Sequence, residues 1–532
     1  MIPATDSPAP TRGKGWSDPA RWLLVCLTLA AGLSLVLVIA RGFAIFGTLH
    51  WFSTSGEEGT VIYGVWKAAH GQPVYQIPGA GLYESAIYNF LFYRCYGGLC
   101  ALIGADGDQL VMVSRLVTCL SALIGAFAQW RVLGLLVRGP LSGGERWLLA
   151  TMVALTWYGA TFLNWWLVTV RPDVPAVALS MLGMWLWLEA MLHRSAPLTI
   201  GAGAAFYLAW AFKQSVVWSL AGAVIGGGLA ASTRRSALLL ALVTGAAFAL
   251  TIALGGEAYR YQTLYVSSLF AIVPLDCIMR SQQLLVPLIL FWFFALVPWV
   301  LGRLGVQPLF PVDAEVHAQA RRVVGIASII AVVMGVIAFG KDGSGRNHLM
   351  EGVVLVSTLA AANLVRVLRL PVGGWRTGLI IVACLFALIL CGRPNNSLIL
   401  DDTGIKRGNS QDVAFHRELA DVVANLPKPA YVDDDILAQP FYTTNGNYPA
   451  YVPDILMYLT LKRHHLVTDG GLSYLVSHGT IQSILVCQNP IISAELLDPA
   501  LAAGFETKPL PAILAKGGYQ LLVRPQKPTA SR

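Results

Sequence analysis

Apolar residues run in long blocks along most of this chain, broken by short polar turns, until about residue 392, where the pattern changes. A helix that crosses a bilayer needs about 20 mostly apolar residues. Runs of that kind fall at 22–40, 110–130, 147–165, 174–192, 197–212, 215–231, 236–254, 283–301, 323–340, 348–365 and 376–392, which predicts about eleven spans. The pair 197–212 and 215–231 is short on both sides of Lys213-Gln214, and one interrupted helix would fit the same residues. Loop charge separates the two readings. With Arg12, Lys14 and Arg21 placed inside, alternate loops carry Arg131, Arg138 and Arg146; His193 and Arg194; Arg234 and Arg235; Arg303, Arg321 and Arg322; Arg366, Arg369 and Arg376. Every cytoplasmic turn is then basic, as the positive-inside rule asks. Merging 197–231 into one span would move every later loop to the other side, so the break is kept. The odd count puts the C-terminus outside.

The segment from Arg21 to Ala40 is long enough to span and reads as an uncleaved anchor. Three outer segments follow: 41–109, 255–282 and everything after 392. In the first, Tyr83 to Ile103 is apolar enough to lie in the membrane interface. In the tail, Ala430-Tyr431-Val432, His465-Leu466-Val467, Ile484-Leu485-Val486 and Tyr519 to Val523 read as strands. Residues 412–426 read as an amphipathic helix, with Val413, Leu419, Val422 and Leu426 on one stripe. The expected organisation is a cytoplasmic tail (1–21), a helical transmembrane module (22–392) and a small extracytoplasmic α/β domain (393–532).

Composition agrees. Of 532 residues, 56% are hydrophobic and 12% charged, with a mean hydropathy of +0.62. A soluble domain carries about 25% charged residues. The net charge of +8 reads as the basic excess of cytoplasmic loops, and no basic stripe with interleaved aromatics points to nucleic acid. The eight cysteines show no CxxC or Cys/His metal spacing.

Four groups could carry chemistry. Glu57-Glu58, just outside the first span, is an acidic pair in which one carboxylate could act as general base; the alternative is a helix N-terminus capped by Ser55. Arg171-Pro172-Asp173 ends the fourth span, with Asp173 a cap or a site residue and Arg171 a phosphate or carboxylate partner. Lys213 at membrane depth needs a partner or water, for which a lipid-linked phosphate would serve; snorkelling is the alternative. Arg346, Asn347, His348 and Glu351 open a later span, where Glu351 needs a partner such as Arg346 or a substrate hydroxyl. A lone His is more often structural. Tyr259, Tyr261, Tyr265, Asp276 and Arg280 offer a sugar or acceptor surface, and Asp433-Asp434-Asp435 reads as a solvated strand end.

In order and spacing, these groups resemble the GT-C class of integral-membrane glycosyltransferases. The likeness is in particular to bacterial relatives of the protein O-mannosyltransferases and of the transferases that add aminoarabinose to lipid A. Gly56-Glu57-Glu58-Gly59, then Tyr63, then His70-Gly71-Gln72-Pro73-Val74-Tyr75 is similar to the family's first outer loop; Asn347-His348-Leu349-Met350-Glu351 is similar to its Asn-Tyr-x-x-Glu motif. The Lys-Pro-Pro stretch of the aminoarabinose enzymes is absent. The resemblance implies transfer of a sugar from a polyprenyl-phosphate donor to an envelope glycan, lipid or protein acceptor at the outer face of a bacterial inner membrane. Glu57 or Glu58 would be the base. Arg171, Asp173, Lys213, Arg346, Asn347, His348 and Glu351 would bind the donor. No cofactor is required, and a divalent cation on the acidic pair is left open. The rivals are a flippase for a lipid-linked glycan, which should show mid-span charges and an internal repeat, and a non-catalytic assembly protein.

Overall fold

The computed structural model describes residues 18–47, 58–79, 83, 86–137, 139–159, 163–275, 277–279, 289–303, 315–341, 345–370, 374–392, 410–432, 455–468, 470–487 and 493–525. Helices overlap all the apolar runs: α1 (Asp18–Gly47), α4 (Asp108–Leu136), α5 (Gly143–Tyr158), α6 (Asp173–His193), α7 (Ala196–Phe212), α8 (Trp218–Gly228), α9 (Arg234–Leu254), α11 (Ile289–Arg303), α12 (Glu315–Phe339), α13 (Met350–Arg369) and α14 (Gly374–Gly392). Among the described residues, six of these are long and apolar enough to cross a membrane: α1, α4, α6, α9, α12 and α13. The first outer segment adds α2 (Glu58–Ala69) and α3 (Phe90–Ile103), and a short α10 (Gly256–Arg260) follows α9.

α13 is the central helix, with 83% of its apolar window buried, whereas α9 is peripheral at 17%. The leucines 238, 242, 250 and 254 of α9 are more than half exposed, as side chains meant for lipid would be. Small residues let helices approach closely. A Cβ on Gly222 of α8 would sit 2.2 Å from the Ala327 backbone of α12, and one on Gly352 of α13 would sit 2.8 Å from the Val332 side chain. A buried polar clamp ties three helices together. Gln129 of α4 donates to Ser357 and Thr358 of α13 and accepts from Trp157 of α5.

The break at Lys213 is real. α7 starts beside the end of α6, its last turn reaches the start of α6 through Lys213 and Asp173, and α8 then returns, so that Gly227 lies against Trp187 in the last turns of α6. The two short helices therefore form a hairpin, and the turn at 213–217 lies at the Asp173 end of the bundle.

In the tail, α15 (Ser410–Ala424) is followed by a four-stranded sheet. The strands are β1 (Ala430–Val432), β2 (Ser483–Cys487), β3 (Glu506–Lys508) and β4 (Tyr519–Val523), in the order β1-β2-β4-β3. β1 and β2 are parallel, and the other pairs are antiparallel. The strand expected at 465–467 does not form. Helix α16 (Ile455–Arg463) ends there, and its last carbonyls capture the N–H groups of His464, His465 and Leu466 that a ladder would have needed. β3 carries no apolar alternation and is fully exposed at an edge, so periodicity gave no sign of it. The sheet alternates its faces as a strand must. Leu485 and Leu521 join Leu419 and Val423 of α15 and residues such as Ile62 and Phe92 of α2 and α3. Ile484, Val486 and Leu522 point to the other side, with Tyr83 and Tyr458. The tail is thus seated on the first outer segment. The Asp433-Asp434-Asp435 triplet lies outside the described residues.

Candidate functional site

Glu58 is the first residue of α2, a position where a negative charge meets the helix dipole favourably. Its carboxylate has no solvent exposure and is fully engaged. Arg115, seven residues into α4 and itself buried, donates from Nε to Oε1 at 3.1 Å and from Nη2 to Oε2 at 3.0 Å. The backbone N–H of Val170 adds a third bond to Oε1 at 2.7 Å. This two-pronged pairing is the strong geometry for an arginine and a carboxylate. Glu57, the other half of the acidic pair, lies outside the described residues.

Val170 leads directly into the second expected group. Arg171 donates from Nη1 to the Tyr88 hydroxyl at 3.0 Å, and its guanidinium carbon lies 5.1 Å from the centre of the Trp166 ring. Asp173 opens α6, but its side chain does not cap that helix. It binds Lys213 in an ion pair and accepts from Asn347 Nδ2 at 2.8 Å, all through Oδ1. Asp173, Lys213 and Asn347 are each buried, as is Arg171. Two buried oxygens here, Asp173 Oδ2 and Asn347 Oδ1, lack a hydrogen-bond partner among the described residues. Such acceptors are costly to bury unmet and mark a place for a donor. His348 follows Asn347 and feels the charges of Lys213, Asp173, Lys341 and Arg171. The Arg346 backbone is in the same 3₁₀ turn, and its side chain lies outside the described atoms.

Glu351 is placed differently. Ser180 Oγ donates to its Oε1 at 2.8 Å, the Ser219 N–H to the same oxygen at 2.9 Å, and the Trp218 N–H to Oε2 at 3.3 Å. It therefore closes the N-terminus of α8, whose first N–H groups have no partner within the helix. Its contact on α6 lies two turns below Asp173, about 10 Å along the axis. Its partners among the described residues are thus Ser180 and a helix end.

The expected set thus divides. Arg171, Asp173, Lys213, Asn347 and His348 come together; Glu58 is adjacent but paired with Arg115; Glu351 lies deeper, in a structural cap. Sequence reasoning passed over Arg115 and Tyr88. A charge inside the run 110–130 was the available signal for the first, because an ionisable residue in a span needs a partner. Nothing local marks Tyr88. Of the second outer segment, Tyr259 is buried against the first, donating its hydroxyl to Asn89, while Asp276 and Arg280 lie outside the described residues. Among the described residues no group of three or more His, Cys, Asp or Glu could hold a metal ion.

No protein-family model matches this chain, and no curated protein matches it by sequence. Solved structures do resemble it. ArnT from Cupriavidus metallidurans, bound to undecaprenyl phosphate, superposes with a TM-score of 0.55 over 93% of this chain and 99% of its own, at 13% identity. The oligosaccharyltransferase of Archaeoglobus fulgidus in its apo form gives 0.54 over 88% of this chain and 69% of its own, at 12% identity. The archaeal oligosaccharyltransferase AglB from the same organism, with an inhibitory peptide and a dolichol-phosphate, gives 0.51 over 95% and 74%, at 10% identity. These are GT-C glycosyltransferases, and their fold is the fold of this chain.

Proposed function

We propose that this chain, which has the GT-C fold, is a glycosyltransferase that moves a sugar from a polyprenyl-phosphate carrier to an acceptor hydroxyl at the outer face of a bacterial inner membrane. In this reading the N-terminus is cytoplasmic and the α/β tail extracytoplasmic, as the basic loops at the other end of the bundle favour. The observation that carries the proposal is the buried cluster of two cations, Arg171 and Lys213, around the carboxylate of Asp173, whose Oδ2 has no hydrogen-bond partner among the described residues. An anion brought to the end of the spans would meet both cations there, and two of the similar structures were solved with lipid phosphates.

Arg171 and Lys213 would hold the carrier phosphate, with Arg346 as a further ligand. As the bond from the anomeric carbon to the phosphate oxygen breaks, charge grows on the phosphate, and cations already in place stabilise it. Asp173 Oδ2 and Asn347 Oδ1 would accept hydrogen bonds from sugar hydroxyls, with His348 beside them. The acceptor oxygen would attack the anomeric carbon from the opposite face, inverting it, and lose its proton to a carboxylate. Both Glu58 oxygens are already bonded to Arg115 and the Val170 N–H, so the base is assigned to Glu57. Glu58 would fix the start of α2 and place its neighbour. The reaction as drawn needs no cofactor; a divalent cation bound by Glu57 is compatible with it.

The test is transfer from a synthetic polyprenyl-phosphate sugar by purified protein, at matched protein levels. Glu57→Gln should lower turnover by about 100- to 10,000-fold, the usual range for a lost general base. Full turnover in Glu57→Gln would remove that assignment.

A further inference from the structure

Four consecutive residues of the first outer segment strap the buried cluster from one side. Ala86, Ile87, Tyr88 and Asn89 lead into α3, whose N-cap is Asn89, and none of them lies in a helix or strand. Each is bonded to a different part of the molecule. The Ala86 N–H donates to Gln262 Oε1, in the π-helical turn after α10. The Ile87 carbonyl accepts from Gln214 Nε2 at 2.6 Å. The Tyr88 hydroxyl accepts from Arg171 Nη1 at 3.0 Å, and its carbonyl accepts from the Tyr75 hydroxyl at 2.7 Å. Asn89 donates to the Trp210 carbonyl at 2.8 Å and accepts from the Tyr259 hydroxyl. With no ladder of its own, the strap takes its position from these bonds.

Two of the four residues reach the cluster. Ile87 meets it through Gln214, the neighbour of Lys213, and Tyr88 meets it at Arg171 itself. Tyr88 is well placed to hold a direction. It is buried, and its ring packs edge to face on Phe92, 6.0 Å between centres. Arg171 needs such a fixture. Its other described contact is the Trp166 ring, and attraction to a ring face holds a guanidinium near the ring without fixing which way its N–H groups point. A hydrogen bond does fix that, because it weakens steeply with angle. Guanidinium is planar and rigid, so bonding Nη1 to Tyr88 restricts where the remaining donors aim. A cation already aimed needs no reorganisation when charge grows beside it.

We infer that Tyr88 is a positioning residue of the donor site: its hydroxyl turns the Arg171 guanidinium toward the carrier phosphate. The inference rests on the function proposed above, in which Arg171 holds that phosphate. It makes one specific demand, that the Tyr88 hydroxyl acts through Arg171 and through nothing else.

The experiment is a double-mutant cycle on binding of undecaprenyl phosphate to the full chain in nanodiscs, with thermal unfolding of each variant as the check on folding. Tyr88→Phe keeps the ring on Phe92 and removes the hydroxyl. It should weaken binding about 10-fold, equivalent to about 1.4 kcal/mol. Arg171→Met should weaken binding at least as much, and adding Tyr88→Phe to it should change affinity by no more than about twofold, the scatter of uncoupled sites. A hydroxyl that merely steadied the fold would cost the same factor in both backgrounds. Tyr75→Phe loosens the strap at the Tyr88 carbonyl and leaves the bond to Arg171 intact, so its affinity should stay within about twofold of wild type. If Arg171→Met binds like wild type, the phosphate placement fails and this inference falls with it. If Arg171→Met loses binding while Tyr88→Phe does not, the role of Tyr88 alone is overturned. Equal losses from Tyr88→Phe in both backgrounds, or a loss from Tyr75→Phe as large as that from Tyr88→Phe, overturn it too.

Discussion

Glu58 and Asp173 are buried carboxylates at the same end of the helices, three residues of chain apart through Val170, and they differ in what their oxygens have left to do. Glu58 faces one arginine and one N–H, and both oxygens are taken. Asp173 shares a single oxygen between Lys213 and Asn347, and its other oxygen has no partner among the described residues. A closed pair holds helices in place; a group with an unmet acceptor has capacity for a ligand. In a membrane protein both kinds of buried charge are expensive, so the difference between them carries more information than burial itself.

The contrast can be broken from either side. The largest effect is expected at the closed pair. Arg115→Met leaves Glu58 buried without its partner, and removing one member of a buried pair costs about 3–5 kcal/mol. Thermal unfolding in detergent should shift accordingly, and Arg115→Met with Glu58→Gln should recover much of the loss. If the double variant is as unstable as the single one, the pair is not what holds α2 to α4.

A smaller stability effect and a larger functional one are expected at the open group. Asn347→Ala removes one hydrogen bond to Asp173, worth about 1 kcal/mol of stability. Transfer from the lipid-linked sugar should fall at least ~10-fold, equivalent to about 1.4 kcal/mol in the barrier. Unchanged transfer kinetics in this variant would make the open group as structural as the closed one.

The smallest effect is expected at Glu351, a third carboxylate that the structure assigns to a helix end. Glu351→Gln keeps an acceptor for the α8 N–H groups and loses the charge, for a stability change of about 0.5–1 kcal/mol with transfer retained. Loss of transfer at unchanged melting temperature would return Glu351 to the donor site.

Much of the fold was legible because its signals are local. Twenty apolar residues force a helix whose backbone satisfies itself in lipid, so each run became a helix without knowledge of its neighbours. The break at Lys213 was legible from loop charge, which is a property of the chain and not of its packing. Strand 465–467 failed where a local reading should fail: β-forming residues stood directly after a helix whose end claimed their N–H groups. The site was only half legible. Residue types at span ends marked Arg171, Asp173, Lys213 and Asn347, but spacing could not tell which charges face each other.

By itself, the sequence determined the helices, their breaks, the chemical change after residue 392 and the gathering of charge at one end of the spans. Only the tertiary structure decided the pairings: Glu58 with Arg115, 57 positions away; Asp173 with Lys213, 40 away; Glu351 with the start of α8. The reason is physical. Helix formation in lipid is fixed within one segment, whereas an ion pair between segments exists only once packing brings their faces together, and the same packing decides which oxygen atoms remain unmet.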